Sequence, residues 1–461
     1  MKILLVKPYN ISDHIQPSLG LGYLATSVRG EHEVTILDCI KERTDIFRLK
    51  NIIGSSRFDL IGIQCYTFDL KFVKNALTMI KGIDAKIITV IGGPHPSAEP
   101  KETMGYFGEV LDFAFIGEAE RGFKSLVDYL NAHKLNISEI PGLAWREDGI
   151  VKMNNPYFEQ DLDKFGMVAW DLIRPDTYPE SQHGAFYKKF PIAPIMLTRG
   201  CPYDCTFCAG KVITGKKLRK RSVNHVISEV KFLYDTYGIR EFHIVDDNFT
   251  MDREYAKRFL EELETLHLDI SWALPNGIRM ENLDIDFLCQ MKRTGLYLVS
   301  LGIESGSDRV LGLMKKNLKV DKMRKAVQLI TDSGLDAAGF FIMGFPGETR
   351  EEIDQTIKFS LELNLIRANF FMYLPFPGTE SYLKLKETGE LNKVNLDEFY
   401  FFKAAYNIDG MTSKELKWLQ RKAFLKFYLR PRIFFKNMLG IKSVRHFKFL
   451  FRRFVNWISR G

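Results

Sequence analysis

The sequence predicts an α/β protein with two successive series of alternating strands and helices, followed by a basic helical tail. Apolar runs of strand length alternate with amphipathic segments up to about residue 130, and again from residue 192. Strands that are apolar throughout are typical of parallel sheets covered on both faces. The 461 residues also exceed what one hydrophobic core usually serves, so two or three domains are expected.

The first series predicts a doubly wound sheet. Strands are expected at 1–6, 33–39, 58–68, 85–97 and 113–120, with helices at 21–28, 70–83 and 122–130. Such a sheet binds ligands at the carboxyl ends of its strands. Glycines at these ends, Gly92, Gly93 and Gly117, suit either close approach of a ligand to the backbone or merely tight turns.

The second series predicts six further strands. They are expected at 193–199, 241–247, 270–277, 297–305, 337–345 and 368–376, with helices at 223–237, 253–266, 284–295, 322–334 and 351–363. Thr349 and Glu352 form a capping box for the last helix. Right-handed crossovers would make an open sheet or an incomplete barrel, and either would carry its function in the loops at the carboxyl ends.

Composition and proline content suggest four segments, namely 1–140, a connector at 141–190, 191–390 and 391–461. The connector contains Pro141, Pro156, Pro175 and Pro179 and is expected to be irregular. Residues 401–461 hold 15 Lys and Arg against 2 Asp and Glu, whereas the other 400 residues hold 50 against 55. Of the net charge of +8, the tail therefore contributes +13 and the rest −5.

The chain lacks a signal peptide pattern and any run of about 18 apolar residues, so a cytoplasmic protein is expected. In that reducing compartment, clustered cysteines are more often metal ligands than disulfides.

Three cysteines lie within eight residues in the stretch TRGCPYDCTFCAG, at Cys201, Cys205 and Cys208. The stretch directly follows the first strand of the second series. Iron–sulfur cubanes take cysteine thiolates, and three of them would leave one iron open for a small molecule. Two alternatives remain, namely zinc with a distant fourth ligand such as His183 or His243, and unrelated core thiols.

The stretch RGCPYDCTFCA resembles the cluster loop of the radical S-adenosylmethionine (SAM) enzymes. The resemblance implies that Cys201, Cys205 and Cys208 hold three irons of a 4Fe–4S cluster, and that SAM chelates the fourth. Phe207 would pack near the adenine. An electron donor such as flavodoxin or ferredoxin is implied as a partner.

The later strand ends are similar to the rest of the SAM pocket of this family. The implied SAM-binding residues are Asp247 and Asn248 in VDDNFT, Arg279 in NGIRM, Glu304 and Ser305 in GIESGS, and Gly344 in GFFIMGFPGET. The family's usual Gly-Gly-Glu is absent from the second strand end, which weakens the assignment there. Taken singly, a strand-end aspartate is more often a helix cap and a glutamate is usually solvated.

The first series resembles the cobalamin-binding domain that precedes many radical SAM barrels. PSLGLGYLA, QCYTF, GGPHPS and GEAERGF carry the resemblance. The implied cobalamin-binding residues are Gly20, Tyr66, Thr67, Gly92, Gly93, His95, Gly117 and Glu118. The Asp-x-His-x-x-Gly motif that ligates cobalt in many cobalamin proteins is absent, because Gly93 stands where the aspartate would precede His95. The alternative is a degenerate domain that has lost the cofactor.

The fold class implied is a Rossmann-like cobalamin-binding domain, a partial (β/α)6 radical SAM barrel and a helical basic C-terminal tail. In the tail, Thr412 and Glu415 cap a helix, and a last helix spaces Val444, Phe447 and Phe451 along one side. Basic amphipathic helices rich in Trp and Phe lie in membrane interfaces. Packing on the barrel is the main rival, and nucleic-acid binding is disfavoured because the aromatic residues are grouped rather than interleaved.

The resemblance implies a cobalamin-dependent enzyme that methylates an unactivated carbon through a 5′-deoxyadenosyl radical and methylcobalamin. The tail favours a small hydrophobic substrate, lipid or isoprenoid-like or another natural product, and a peripheral position on the inner face of the membrane. An anaerobic oxidative cyclase acting on a tetrapyrrole or lipid is the alternative. A corrinoid- or redox-sensing module is the alternative outside enzymes.

Overall fold

The structure, a computed structural model, describes residues 1–10, 15–132, 136–180, 187–395 and 398–460. The chain forms two compact units. The first comprises Met1–Tyr178, Arg199–Pro202 and Ala209–Ser222, and the second comprises Pro179–Thr198, Tyr203–Cys208 and Val223–Gly461. The first unit therefore extends beyond the expected boundary at 140 and takes in most of the segment expected to be a connector.

The elements follow the expected alternation. The strands are β1 Lys2–Lys7, β2 Glu33–Asp38, β3 Leu60–Gln64, β4 Ile88–Gly92, β5 Phe113–Phe115, β6 Leu143–Glu147, β7 Ile150–Met153, β8 Ile192–Ile195, β9 Thr198–Arg199, β10 Arg219–Lys220, β11 Glu241–Ile244, β12 Ser271–Ile278, β13 Leu296–Glu304, β14 Asp336–Met343 and β15 Arg367–Met372. The helices are α1 Leu19–Val28, α2 Ile46–Ser55, α3 Leu70–Ile83, α4 Pro94–Ala98, α5 Pro100–Phe107, α6 Glu120–Ala132, α7 Trp170–Ile173, α8 Gly210–Thr214, α9 Val223–Tyr237, α10 Arg253–Thr265, α11 Ile285–Arg293, α12 Asp308–Leu313, α13 Val320–Asp332, α14 Arg350–Glu362, α15 Glu380–Glu387, α16 Ser413–Tyr428, α17 Pro431–Leu439 and α18 Val444–Arg460.

The sheet of the first unit has the order β2-β1-β3-β4-β5-β6-β7. Strands β1 to β5 pair in parallel, and the order reverses between β1 and β3. This reversal confirms the doubly wound prediction, and it makes the carboxyl ends of β1 and β3 the topological switch point where such folds bind ligands.

Alternate residues of β1 show how the sequence produces two helical layers. Leu4 and Val6 belong to one core, which α2, α3 and α5 complete. Ile3 and Leu5 belong to a second core, on the face that α1 and α6 cover. Successive side chains of a strand point to opposite faces, so a strand that is apolar throughout buries both.

The expectation that 141–190 is irregular is wrong for 143–153. There β6 and β7 form an antiparallel hairpin that extends the first sheet. Its two-residue loop is Asp148 and Gly149, with φ of 50° and 75°. Asp-Gly is a strong signal for such a loop, because both residues must adopt positive φ. The strand expected at 85–97 also ends early, at Gly92, because Pro94 begins the short helix α4.

The sheet of the second unit has the order β15-β14-β13-β12-β11-β8, with every pair parallel. The strands therefore follow chain order without a reversal, which is the winding of a barrel rather than of a doubly wound sheet. β8 and β15 are the two ends of this order. The capping box of α14 is present, with Thr349 and Glu352 bonded reciprocally.

Helix α16 covers the edge strand β15. Gln420 Nε2 donates to the Phe370 carbonyl at 2.6 Å, and the Tyr428 hydroxyl both donates to the Ala368 carbonyl at 2.9 Å and accepts from the Ala368 amide at 3.2 Å. These bonds satisfy backbone groups that an edge strand otherwise leaves open. The buried face of the helix consists of Leu416, Leu419, Gln420, Ala423 and Phe427. Packing therefore accounts for this face of the tail.

Replacing Phe427, which is fully buried against the Phe370 ring, tests this cover. We expect Phe427→Ala to lower the free energy of unfolding by about 3–5 kcal/mol, the usual effect of truncating a buried aromatic side chain. Phe435→Ala is the matched control, because Phe435 is 63% exposed, and should change it by about 0.5 kcal/mol or less. Equal effects in urea denaturation would show that α16 does not stabilise the second unit.

Candidate functional site

The three cysteines lie in the loop between β9 and α8, and none of them forms a disulfide bond. Gly200 precedes the first and has a φ of 93°, and a Cβ there would lie 2.3 Å from the Lys217 carbonyl oxygen. Only glycine fits this position without moving the backbone. Cys201 belongs to the first unit, and Cys205 and Cys208 to the second. Their grouping therefore rests on the sequence spacing.

Two buried ion pairs of the first unit hold the ends of this loop. Arg219, beyond α8, donates from both terminal nitrogens to the two carboxylate oxygens of Glu118 at 2.6 Å each. Arg199, two residues before Cys201, donates to Glu120 at 2.6 Å and lies 3.2 Å from Glu118. Both glutamates stand in the GEAE stretch that follows β5. We call these four side chains the loop clamp.

The loop clamp is almost free of solvent, with each of its four side chains no more than 8% exposed. Burial by itself would lower the pKa of Arg199, but the carboxylates of Glu120 and Glu118 outweigh it and raise that pKa above its usual value. The Arg199 guanidinium also lies 4.7 Å from the Phe165 ring centre. Two cations and two anions balance, as buried charges must.

The predicted cobalamin contact at Glu118 thus has a structural role of its own. Its contact with cobalamin stays a prediction. Sequence reasoning missed the loop clamp, because its partners are 79 and 101 residues apart and no local pattern links them.

Two cations lie near Cys205 in the second unit, Arg279 and Lys316, and each is paired with a carboxylate, Glu281 and Glu304 respectively. Arg279 directly follows β12, and its Nη1 lies 4.0 Å from the Cys205 sulfur. Its guanidinium stacks 3.6 Å from the centre of the Tyr203 ring and donates to the Lys316 carbonyl at 2.8 Å. Burial raises the pKa of the Cys205 thiol, while the positive charges of Lys316 and Arg279 act in the opposite direction. Burial outweighs the cations, so the pKa of Cys205 lies above its usual value. The cations would nevertheless stabilise the thiolate that ligates a metal.

Lys316 is a site residue that sequence reasoning missed. Its ammonium is buried and lies 2.8 Å from Glu304 Oε1. Burial by itself would lower the pKa of Lys316, but Glu304 and then Cys205 raise it above its usual value. Lys316 follows α12 rather than a strand end, so inspection of the strand ends could not find it.

Glu304 ends β13 and adopts a positive φ of 62°, which is rare for a residue other than glycine. Backbone strain of this kind clusters at functional sites, so the predicted SAM contact at Glu304 gains support. Its neighbour Ser305 is fully buried, and its hydroxyl pairs with the Thr356 hydroxyl at 3.1 Å. Ser305 therefore also has a structural role.

Within residues 245–248, which follow β11, the buried polar residues are Asp246 and Asn248 rather than the predicted pair Asp247 and Asn248. Asp247 is exposed, whereas Asn248 is buried and bonded to Thr250 and Met251. The missed neighbour, Asp246, accepts from the Leu197 and Thr198 amides at 2.8 and 3.0 Å. Burial raises the pKa of Asp246 to about 7. Asp246 thus fixes the segment between β8 and β9 that leads into the cysteine loop.

Gly344 follows β14 with a φ of 79°, and Glu348 holds the turn that it begins. Glu348 Oε2 accepts from the Gly344 amide at 2.7 Å and from the Phe345 amide at 3.2 Å. The other carboxylate oxygen, Oε1, is buried without a hydrogen-bond partner. Burial raises the pKa of Glu348 to about 8, so the carboxyl group is mostly protonated at neutral pH.

Several predicted cobalamin residues meet at the switch-point side of the first sheet. Gly93 has a φ of 115°, and a Cβ there would lie 3.1 Å from the Cys65 carbonyl oxygen. The Thr67 hydroxyl is 3.1 Å from His95 Nδ1, and His95 is buried. The missed residue Asp69 is also buried beside them and accepts from Asn10 and the Tyr66 amide.

The remaining predicted cobalamin residues are more open or serve a turn. Tyr66 is 37% exposed and stacks on Phe68, with ring centres 5.2 Å apart. Gly20 is exposed and a Cβ there would meet nothing within 4 Å. Gly92 ends β4, where a Cβ would meet only Phe115 at 3.8 Å. Gly117 has a φ of 73° and its amide donates to Ser97 at 2.9 Å.

The residues fit the groups that the sequence implies. Three cysteines outside any disulfide suit an iron–sulfur cluster, and the cations near Cys205 suit the carboxylate of SAM. The exposed ring of Tyr66 and the exposed Gly20 lie after β3 and at the start of α1, at the edge where doubly wound sheets bind ligands. Of the alternative zinc ligands, His243 is buried within β11 and bonded to Glu241, and His183 lies outside the described residues.

Comparison with known proteins agrees with both units. Residues 195–360 match the radical SAM superfamily, and residues 12–127 match the B12 binding domain. An uncharacterized methyltransferase of Pyrococcus horikoshii is 32% identical over 100% of this chain and 98% of its own. The chain therefore belongs to the radical SAM superfamily, in the cobalamin-dependent methyltransferase family, and it is an enzyme. Its cofactors are a 4Fe–4S cluster, SAM and cobalamin.

Two further relatives differ in the activity that their names give. The cytidylyl-2-hydroxyethylphosphonate methyltransferase of Streptomyces wedmorensis is 29% identical over 82% of this chain and 80% of its own. The anaerobic magnesium-protoporphyrin IX monomethyl ester cyclase of Rubrivivax gelatinosus is 24% identical over 93% and 79%. Membership of the family therefore leaves the substrate open.

Solved structures share the fold. The cobalamin-dependent SAM radical enzyme OxsB superposes with a TM-score of 0.73 at 16% identity, covering 98% of this chain and 70% of that one. The radical SAM methyltransferase TsrM from Kitasatospora setae gives a TM-score of 0.69 at 19% identity, covering 84% and 75%. These likenesses confirm the predicted order of a cobalamin-binding sheet and a radical SAM sheet.

Neutralising one carboxylate tests the loop clamp. Glu118→Gln leaves the buried Arg219 without its counter-charge, and we expect the free energy of unfolding to fall by about 3–5 kcal/mol. Asp171→Asn is the control, since it removes an exposed ion pair with Arg29 in the same unit and should cost about 1 kcal/mol or less. Urea denaturation of both variants decides, and equally small losses would mean that the clamp does not stabilise the first unit.

Glu348 makes stability depend on pH. Its pKa is about 8 in the folded protein and near the ordinary value of about 4.3 in the unfolded chain. Unfolding between these values releases a proton, so this group's contribution to stability falls as pH rises from about 4 to about 8. We expect Glu348→Gln, which stays neutral, to flatten this part of the stability profile and to stabilise the protein at pH 8.

The measurement is urea denaturation from pH 5 to pH 8, with Glu261→Gln as a control at an exposed glutamate. A Glu348→Gln profile parallel to that of the unmodified protein would contradict a buried, protonated carboxyl group.

Proposed function

We propose that this protein methylates an unactivated carbon of a hydrophobic substrate, such as a lipid, an isoprenoid-like compound or another natural product. The observation that carries the proposal is the combination, in one chain, of a cysteine loop with Arg279 beside Cys205 and a doubly wound sheet of the B12-binding type. The chemistry that the bound groups supply is one-electron cleavage of SAM, hydrogen abstraction from carbon and transfer of a methyl group from cobalt.

The residues of this chain bind and orient those groups. Cys201, Cys205 and Cys208 would hold the cluster. Arg279 and Lys316 are the cations suited to the carboxylate of SAM, and Glu304 is the anion suited to its ammonium or ribose hydroxyls. Flavodoxin or ferredoxin would supply the electron.

Two of the three cysteines outside the loop are unsuited to accept a methyl group. Outside the loop the cysteines are Cys39, Cys65 and Cys289. Cys39 and Cys65 are fully buried, and burial raises the pKa of Cys39 to about 12. A thiol in this state is a poor nucleophile at neutral pH, so neither residue is suited to carry a methyl group.

The hydrophobic substrate class is supported by the basic, aromatic tail, which would keep the enzyme at the surface of a membrane. No helix in the described part of the chain is both long and apolar enough to cross a bilayer. The proposed location is therefore peripheral, where lipid substrates are concentrated.

Oxidative cyclisation without methyl transfer is the second candidate. It is supported by the resemblance to the magnesium-protoporphyrin IX monomethyl ester cyclase over 93% of this chain. Both reactions begin with hydrogen abstraction, so methyl transfer distinguishes them. The test is anaerobic incubation of the reconstituted protein with cobalamin, deuteromethyl-labelled SAM and a lipid extract, followed by mass spectrometry. A labelled methyl group on a product supports methylation, and hydrogen loss without label supports cyclisation.

Matched variants test the roles of the site residues. We expect Cys205→Ser to abolish both the iron–sulfur absorption and the release of 5′-deoxyadenosine, and Cys289→Ser to preserve both, because Cys289 lies in α11.

We expect Lys316→Met to weaken SAM binding about tenfold or more, the usual loss when a charge-assisted hydrogen bond is removed, and Lys315→Met to leave it unchanged. Lys315 is a suitable control because it is exposed and pairs with Glu380. Equal SAM affinities of the two lysine variants would remove Lys316 from the site.

A further inference from the structure

We propose that the outer face of α18, together with α17, is a docking surface for anionic lipid headgroups and the acyl chains beneath them. The inference deepens the peripheral location given under the proposed function and rests on it for its biological meaning. The binding itself is measured without turnover, so the two proposals can fail separately.

The two faces of α18 have different surroundings. On the inner face, His446 is fully buried and its ring centre lies 5.2 Å from that of Tyr187. Just before the helix, Ser443 is 3.2 Å from Glu180. These contacts attach α18 to the second unit and fix which side of the helix faces outward.

The outer face of α18 carries an apolar stripe. Its residues, with their exposed fractions, are Val444 at 72%, Phe447 at 48%, Phe451 at 57% and Val455 at 44%. Intervals of three and four residues place side chains on one side of a helix. The four exposed apolar residues therefore form one continuous apolar face of the helix rather than scattered surface positions.

Positive charge flanks this stripe. Arg445, Lys448 and Arg452 are exposed beside it. Residues 430–461 hold nine Lys and Arg and no Asp or Glu. An apolar stripe flanked by cations matches the interface of an anionic bilayer, where the apolar side chains enter the acyl boundary and the cations meet the headgroups.

Helix α17 presents further exposed apolar side chains. They are Phe434, Phe435, Met438 and Leu439, which are 46%, 63%, 49% and 86% exposed. Pro431 begins this helix and Ile433 anchors it, being 4% exposed. Like α18, α17 thus has a buried side that attaches it to the protein and exposed apolar side chains elsewhere.

Two other occupants are less suited to this face. A second copy would bring its own nine cations, without a single acidic residue in the segment, against the first. A nucleic acid would use aromatic rings placed between phosphate contacts, whereas here the rings form one stripe and the cations lie beside it.

The experiment is co-sedimentation of the full chain with phosphatidylcholine vesicles that contain phosphatidylglycerol, compared with vesicles of phosphatidylcholine alone. The apolar variant is Phe447→Ser with Phe451→Ser, and its control is Phe47→Ser, since Phe47 is 76% exposed in α2. The charge variant is Arg445→Gln, Lys448→Gln and Arg452→Gln. Its control removes three exposed charges elsewhere, through Lys50→Gln, Lys101→Gln and Lys325→Gln.

We expect the full chain to bind the anionic vesicles, and each test variant to weaken binding about tenfold or more, while both controls bind as the unmodified protein does. Phe434→Ser with Phe435→Ser in α17 should repeat the loss. Circular dichroism must show that every variant used has the same helix content as the unmodified protein. If an α18 variant loses helix content, the α17 variant is used to decide.

Three results would overturn the proposal. One is no sedimentation with anionic vesicles. Another is binding that only the charge variant weakens, which would indicate attraction to any polyanion, including nucleic acid. The third is a dimer in light scattering that only the apolar variant dissociates, which would assign the stripe to a second copy of the chain.

Discussion

The loop clamp is the interaction on which the arrangement of the cysteine loop depends. Two buried glutamates after β5 neutralise Arg199 and Arg219, which stand on either side of the loop. A buried charge without a partner is far more costly than a lost surface pair, so all four charges must be in place together. The glutamates that follow β5 of the B12-binding sheet therefore hold the two segments that flank the loop with the predicted cluster ligands.

Much of the fold could be predicted because residues close together in the sequence indicate where each strand and helix lies. Apolar runs marked the strands, and the capping boxes at Thr349 and Thr412 marked two helix starts. The hairpin at 143–153 carried an equally local signal, Asp148-Gly149, which the prolines around it obscured. Chain order alone left an open sheet and an incomplete barrel undecided, because strand pairing joins residues far apart in sequence.

The site could be predicted only where it follows a strand. Arg279, Glu304 and Gly344 are predictions that rest on one rule, namely that the carboxyl ends of parallel strands share one edge of the sheet. Lys316 lies after a helix and Glu348 within a turn, so neither position stood out before the structure placed them. Conversely, Glu118, Asn248 and Ser305 have the residue types of a ligand site, yet buried contacts within the protein account for each of them. The residue types at strand ends therefore indicate where a site lies, but not whether each side chain binds a ligand or supports the fold.

The tail shows why packing and membrane docking are not exclusive. In α16, Leu419 and Phe427 are buried while Trp418 and Leu425 are 53% and 48% exposed, so one helix carries two apolar faces. Periodicity alone cannot separate them, because both are spaced by whole helical turns. The buried face covers β15 and is needed for the sheet. Selection for folding does not explain the exposed face, whose side chains contribute little to stability in water. The exposed face is open to the proposed membrane docking, and the positive charge around α17 and α18 favours an anionic bilayer as the docking surface.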